Sequence, residues 1–288
     1  MKQTAKRRTE KETRPARSAE RFARALLAAG RSEATAEKYA RYARRFEERA
    51  RECGLTRESV QSYRKEAAGR HSAAGANGML AAVNSYLGYL GREELRAAPL
   101  KVQKRAYADE KRELRKEDFA RLLAAAERLG RDRTALVLRT LHATGLRVSE
   151  LRFVTAEAAE RGEAEVTMKG KTRGVFLPDK LRRRLTEYAR RRGITRGPVF
   201  VTRTGRPVDR FSVWREMKAL CAEAGVEPAR AFPHNVRKLF ARIFHAAIPS
   251  LAELADVLGH SDVNTTRIYT APTAASLRRR IAALPLLL

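Results

Sequence analysis

Apolar residues recur at helical spacing through most of this chain, but the pattern fails over one long stretch. In AAPLKVQKRAYADEKRELRKEDF, from Ala97 onward, the three-to-four spacing lapses, Pro99 interrupts and charge density rises. A chain divided in this way cannot close one continuous core. Two domains are therefore expected, joined by a linker at residues 98–110, and 288 residues suffice for both.

Ahead of the first domain, MKQTAKRRTEKETRPAR is charged and without periodic apolar positions, so residues 1–17 read as a basic, flexible tail. Residues 18–97 then read as four helices with short connections. Gly30 stops the first, and Ser32 caps a second that carries Tyr39, Tyr42 and Phe46 along one stripe. A third starts near Thr56, and a fourth carries Leu80, Val83, Leu87 and Leu90. Such a set makes a small helical domain.

Residues 111–288 change character once. Two helices, RKEDFARLLAAAERLG and DRTALVLRTLHATG, end at Gly145; EAEVTMKGKTRGVFLP then alternates on both sides of a Gly-Lys turn, a hairpin signal. A further short strand is expected at GPVFVT before the turn TRTGRP, and the remainder is helical up to TAASLRRRIAALPLLL. The fold class is mainly α with a small β-sheet, in two domains.

Charge narrows the partner. Against 33 Asp and Glu stand 61 Lys and Arg, a formal net charge of +28, which favours a polyanion. A basic protein of the membrane surface is the competing class, but the sequence has neither a long apolar run nor a signal-peptide pattern, so a cytoplasmic location and no membrane partner are expected. Cys53 and Cys221 are isolated and lack metal-ligand spacing, so no disulfide framework and no zinc site is expected.

Individually, the chemistry-bearing residues are weak signals. Arg147 follows a glycine in TGLRVSEL; His234 and Arg237 share a helix face in PHNVRKLFAR; Lys169 and Lys171 flank the hairpin turn; His260 and Tyr269 lie in LGHSDVNTTRIYT. As an ordered set they resemble the tyrosine recombinases, the phage integrase family. TGLRVSEL matches the family's arginine motif, HNVR its HxLR motif, and LGHSDVNTTRIYT its LGHxxxxTTxxYT signature. The likeness runs through the four-helix domain, whose family counterpart is the core-binding domain, and is greatest to compact bacterial and mobile-element integrases.

The chemistry explains why these residue types go together. A DNA phosphodiester is anionic and its leaving 5′ oxygen is a strong base, so cleavage needs charge neutralisation, an activated nucleophile and a proton for the leaving group. The resemblance implies that Arg147 and Arg237 fork onto the nonbridging oxygens, where a planar guanidinium suits better than an ammonium. It makes Tyr269 the nucleophile of a 3′-phosphotyrosine, His234 the general base and His260 a donor to the phosphate. By the same resemblance the general acid would be the hairpin lysine, Lys169, with Lys171 open as the alternative because KGKTR is one residue shorter than the family's KGxKxR. Lys238 stands where the family usually has histidine, and Glu150, one turn from Arg147, reads as a partner that holds the local turn. The covalent link conserves the bond energy, so no ATP, cofactor or metal is expected.

The resemblance further implies a clamp of the two domains around double-stranded DNA, inverted-repeat sites, a homo-tetramer working through a Holliday junction, a possible accessory directionality factor, and association with the nucleoid. Two alternatives stay open: a type IB topoisomerase, which relaxes DNA without exchanging partners, and a regulator that binds DNA but has lost activity. The apolar tail IAALPLLL is expected to dock, either on its own domain or on a neighbouring protomer.

Overall fold

The structure, a computed structural model, describes residues 15–102, 109–168, 170–260 and 262–284. The chain separates into two compact units, Met1–Lys104 and Arg105–Leu288.

The first unit is built from α1 (Pro15–Ala28), α2 (Glu33–Cys53), α3 (Arg57–Arg70) and α4 (Ala73–Tyr89). Helix α1 begins at Pro15, inside the expected tail; proline at a first helical position loses no hydrogen bond, since that N–H has no intrahelical partner anyway. The buried stripe of α2 is Ala36, Ala40, Ala43 and Phe46, with Tyr39 and Tyr42 only packed at its margin. Thr56 caps α3 through a reciprocal pair of bonds with Ser59. Leu80, Val83 and Leu87 are buried as the periodicity requires, whereas Leu90 lies just past the end of α4 and is exposed.

Residues 97–100 are fixed to this unit. Asn84 exchanges hydrogen bonds with both backbone groups of Ala97, at 2.9 and 3.0 Å, and Asn77 does the same with Leu100, at 2.9 and 2.7 Å. The start of the expected linker is thus paired segment by segment with α4, a long-range link that hydrophobic periodicity does not register.

The second unit holds α5 (Lys116–Arg128), α6 (Asp132–Thr144), a 3₁₀ turn at Val148–Phe153, α7 (Ala156–Arg161), β1 (Glu163–Met168), β2 (Lys171–Phe176), α8 (Asp179–Arg191), α9 (Arg210–Ala224), α10 (Pro233–Ala247), α11 (Leu251–Leu258), α12 (Val263–Thr270) and α13 (Ala274–Ala282). Its core joins Leu122, Leu138, Leu141, Leu151, Val166, Leu185, Phe200, Met217 and Val236 across α5, α6, the hairpin, α8, α9 and α10.

Strands β1 and β2 pair antiparallel, with Met168 opposite Lys171 and Glu163 opposite Phe176. The expected third strand at GPVFVT does not form. Pro198 has no N–H to donate, and the segment makes only isolated bridges, Thr155 with Pro198 and Val201 with Pro207, as the chain turns between Thr202 and Arg206. Helix α12 is the converse case: its polar sequence gives little periodicity, but Asp262 caps it by accepting from the Asn264 N–H at 2.8 Å. Among the described residues no helix is long and apolar enough to cross a membrane.

Candidate active site

The site is organised around a buried arginine. Arg237, on α10, is 1 % exposed. Its Nη1 donates to the Gly145 carbonyl at 2.5 Å and its Nη2 to the Leu258 carbonyl at 2.7 Å. Those carbonyls close α6 and α11, so the guanidinium sits between two helix C-termini, where unpaired carbonyls and the helix dipole favour a cation. Glu150 adds a carboxylate at 3.9 Å. Burial and the nearby charge of Arg147 still pull its pKa down to about 10, against the opposing pull of Tyr269 and Glu150, and it stays cationic at neutral pH.

Two glycines make this convergence possible. Gly145 takes φ 64°, and a Cβ there would collide with the Phe240 ring. Gly259, at φ 65°, lies against the Arg173 side chain. Both end their helices in the left-handed region that side chains resist, turning the final carbonyls toward Arg237.

His260 follows directly. Its Nε2 lies 3.0 Å from Arg237 Nη2, and its Nδ1 lies 2.9 Å from Oγ1 of the buried Thr266 on α12. A guanidinium can only donate, so Nε2 accepts and Nδ1 carries the proton to Thr266. Burial, then Arg237, Arg147 and Arg173, push the His260 pKa down to about 4. The ring has no N–H left over in this arrangement; donation to a phosphate requires the Arg237 bond to open.

Tyr269 lies one turn beyond Thr266, 9 % exposed, in a small cluster with Ala241, Leu254 and Leu258. Its ring meets His260 with centroids 5.2 Å apart and His234 at 5.3 Å, edge-on. His234, in the first turn of α10 behind Pro233, keeps an open edge to solvent. Partial withdrawal from water, then the charges of Lys238, Arg237, Arg210 and Arg147, lower its pKa and favour the neutral base.

Arg147 joins through Glu150. The Glu150 carboxylate, 1 % exposed, accepts from the Arg147 backbone N–H at 2.8 Å, from its Nη1 at 2.8 Å, and from Arg173 Nη2 at 3.0 Å. Burial alone would raise this carboxyl; the hydrogen bonds from Arg173 and Arg147 outweigh it and hold it below its usual value. The Arg147 side chain itself remains 42 % exposed.

The structure therefore brings Arg147, His234, Arg237, His260 and Tyr269 into one neighbourhood; Lys169 lies outside the described residues. Lys171, at the start of β2, lines a cleft of about 640 Å³ with Arg147, Glu150, Arg173 and His260. Arg173 and Thr266 were not singled out from sequence. A signal for Arg173 existed: the two-residue period that turns Val175 inward turns Arg173 inward too. Lys238 bonds Glu113 at 3.0 Å, and Arg242 pairs with the same carboxylate, tying α10 to the residues ahead of α5. Among the described residues no cluster of His, Cys, Asp and Glu could hold a metal.

Stability should follow these groups in acid. His260 is neutral in the fold but takes up a proton below its ordinary 6.5 when unfolded, so its contribution, complete above 6.5, is lost as pH falls toward about 4. Glu150, lowered from 4.5, adds a loss of the same sign at still lower pH. Urea midpoints are expected to fall steadily below pH 6.5, and His260→Gln to flatten the upper part of that decline; a parent midpoint independent of pH over this window would contradict the assignment.

The chain has relatives among known proteins. Residues 112–276 match the model of the phage integrase family. Tyrosine recombinase XerD of Xanthomonas campestris is 37% identical over 170 residues, covering 52% of this chain and 51% of that protein, and XerD of Staphylococcus aureus is 33% identical over 159 residues, covering 52% of each. The chain thus spans about half the length of the curated relatives it matches. Among solved structures, the XerH site-specific recombinase bound to palindromic difH substrate superposes with a TM-score of 0.71 at 17% identity, covering 92% of this chain and 84% of that one. A lambda integrase tetramer bound to a Holliday junction gives 0.69 at 16% identity, covering 90% and 78%. Both likenesses concern the fold. With its matched segment holding every described member of the Arg237 cluster, this chain belongs to the phage integrase family.

Proposed function

We propose that this chain is a site-specific DNA recombinase that cuts and rejoins strands through Tyr269. The observation that carries the reading is the packing of the Tyr269 ring between two imidazoles and beside a buried guanidinium. Such an arrangement offers a nucleophile, a base and a fixed positive charge within one phosphate's reach.

In the proposed step the Tyr269 oxygen attacks phosphorus as its proton passes to His234. The bond from phosphorus to the 5′ oxygen breaks, and that oxygen takes a proton from the hairpin lysine, Lys169, with Lys171 as the alternative. Arg147, half open to solvent, reaches a nonbridging oxygen. Arg237 contributes differently from the expected fork, because Nη1 and Nη2 each hold a backbone carbonyl; the N–H groups it can still offer are Nε, buried and without a hydrogen-bond partner among the described residues, and the second N–H of Nη1. His260 then orients Arg237 until a phosphate competes for Nη2. Rejoining runs the step backward with a 5′ hydroxyl as nucleophile, so the chemistry consumes no ATP and routes no step through a metal.

The first unit is proposed as the second DNA-binding part, supplying phosphate contacts. Four copies on two inverted-repeat sites would exchange strands in pairs through a Holliday junction, with an accessory factor setting direction. The tail IAALPLLL would dock in this assembly; of it, Ile281 and Leu284 are exposed, and residues 285–288 lie outside the described residues.

A duplex selected from a random pool for retention by the protein provides the test. Incubated in EDTA without ATP, two such duplexes are expected to yield a four-way junction and recombinant products. Relaxation of a supercoiled plasmid carrying the selected duplex, with no exchange, would assign the topoisomerase reading, and retention with neither reaction would assign the regulator.

A further inference from the structure

The catalytic proposal leaves one exposed surface without a use. Phe211, in the first turn of α9, is 62 % exposed. Trp214 stacks against it with centroids 5.6 Å apart and planes 28° from parallel. The Arg215 guanidinium lies 5.3 Å from the Phe211 centroid, and the Lys218 ammonium lies 5.8 Å from Trp214 and 3.7 Å from Phe232. Cations and rings share one row: Arg215, the Phe211–Trp214 pair, Lys218 and Phe232. The row ends at the candidate base, since Phe232 immediately precedes Pro233 and His234. Arg210, beside Phe211, lies near enough for its charge to be felt at His234.

Packing does not account for this row. Val213, Met217 and Leu220 already bury the opposite face of α9. With Phe211 and Phe232 exposed and Trp214 half-buried between them, this aromatic cluster marks a contact surface. Its charge then selects the partner. Glu216 is turned away to Arg133 and Thr134, at 2.5 and 2.7 Å, and Asp209 is occupied in capping the Ser212 N–H at 2.6 Å. What remains on the row is Arg210, Arg215 and Lys218, all cationic, although one Lys218 N–H is already given to the Pro228 carbonyl. Rings flanked by cations fit a nucleic-acid strand, whose sugars and bases offer apolar faces between phosphates.

We propose that the Phe211–Trp214–Phe232 row seats the DNA strand next to the cleaved phosphate, its rings against deoxyribose and base edges and its cations on flanking phosphates. This rests on the recombinase reading, and it adds residues that set the affinity and position of the strand without entering the chemistry.

Trp214 is the chain's single tryptophan, so its fluorescence reports on this row alone. With the parent protein and the selected duplex, Trp214 emission is expected to change and to saturate at the DNA concentration that completes the gel shift, with quenching by acrylamide reduced in the complex. Phe211→Ala, checked by circular dichroism for an intact fold, should weaken duplex binding about 5- to 20-fold through lost apolar burial. Arg215→Ala should reduce the slope of log affinity against log salt by about one. If the parent binds and cleaves the duplex while Trp214 stays as open to acrylamide as before, this inference fails and the recombinase reading stands. If emission instead changes with protein concentration in the absence of DNA, the row is a contact between copies and the inference is overturned. A parent that neither retains nor cleaves DNA sinks both readings.

Discussion

Tyr269→Phe is expected to bind a nicked suicide duplex within about twofold of the parent and to form no covalent adduct, whereas the parent accumulates a protein attached to the 3′ end of the cut strand. The substitution removes one oxygen. The ring stays in its cluster with Ala241, Leu254 and Leu258, and the His260–Thr266 and His260–Arg237 contacts do not involve the phenol, whose interaction with Arg237 is the one lost. Binding, which rests on cations spread over the surface, should therefore survive while chemistry disappears. Adduct formation is read by gel mobility after denaturation, in EDTA and without ATP. An adduct of undiminished yield in the phenylalanine variant would move the nucleophile elsewhere, and a requirement for magnesium in the parent would overturn the mechanism.

The second large effect concerns Glu150. Its carboxylate is the shared anion of Arg147, Arg173 and Arg237, whose side chains are 42, 16 and 2 % exposed. Glu150→Ala leaves the cation of Arg237 buried without that counter-charge, and breaking a buried pair in this way costs about 3–5 kcal/mol. For a unit of this size, melting is expected to drop by about 10 °C. The two helix C-termini still face Arg237, which places the loss at the lower end of the range. Glu150→Gln keeps the shape and one acceptor, so it should lose less stability. Thermal unfolding of the three proteins, followed by circular dichroism, checks the order parent, Gln, Ala; an alanine variant melting with the parent would remove Glu150 from the centre of the site.

Much of this site was legible before any coordinates. Arg147, His234, Arg237, His260 and Tyr269 stand in short local motifs, and the helices and turns around them follow from periodicity, caps and glycine stops. Gly145 marked the end of α6 because a left-handed residue after an apolar helix is a local property of the chain. The hairpin was visible for the same reason, as two alternating runs on either side of one turn.

Tertiary structure settled the rest, and in each case a long-range contact decided. GPVFVT has strand-like residues, yet whether it pairs depends on partners at residues 154–156 and 206–208, which meet it only at isolated bridges. Arg173 belongs to the site because β2 lies over Glu150, a contact between segments whose separation in sequence hides it. Arg237 was named by its motif, but its acceptors were not: the Gly145 carbonyl lies 92 residues away in the chain, and once it, the Leu258 carbonyl and His260 each take an Nη N–H, Nε and the second N–H of Nη1 remain to meet a phosphate. By itself the sequence determined which residues are proposed to carry the chemistry and where several helices stop, because propensity, capping and spacing act over a few residues. Only the fold decided which N–H groups are free and which ring nitrogen holds the proton, because those follow from which buried groups meet away from water and must satisfy one another.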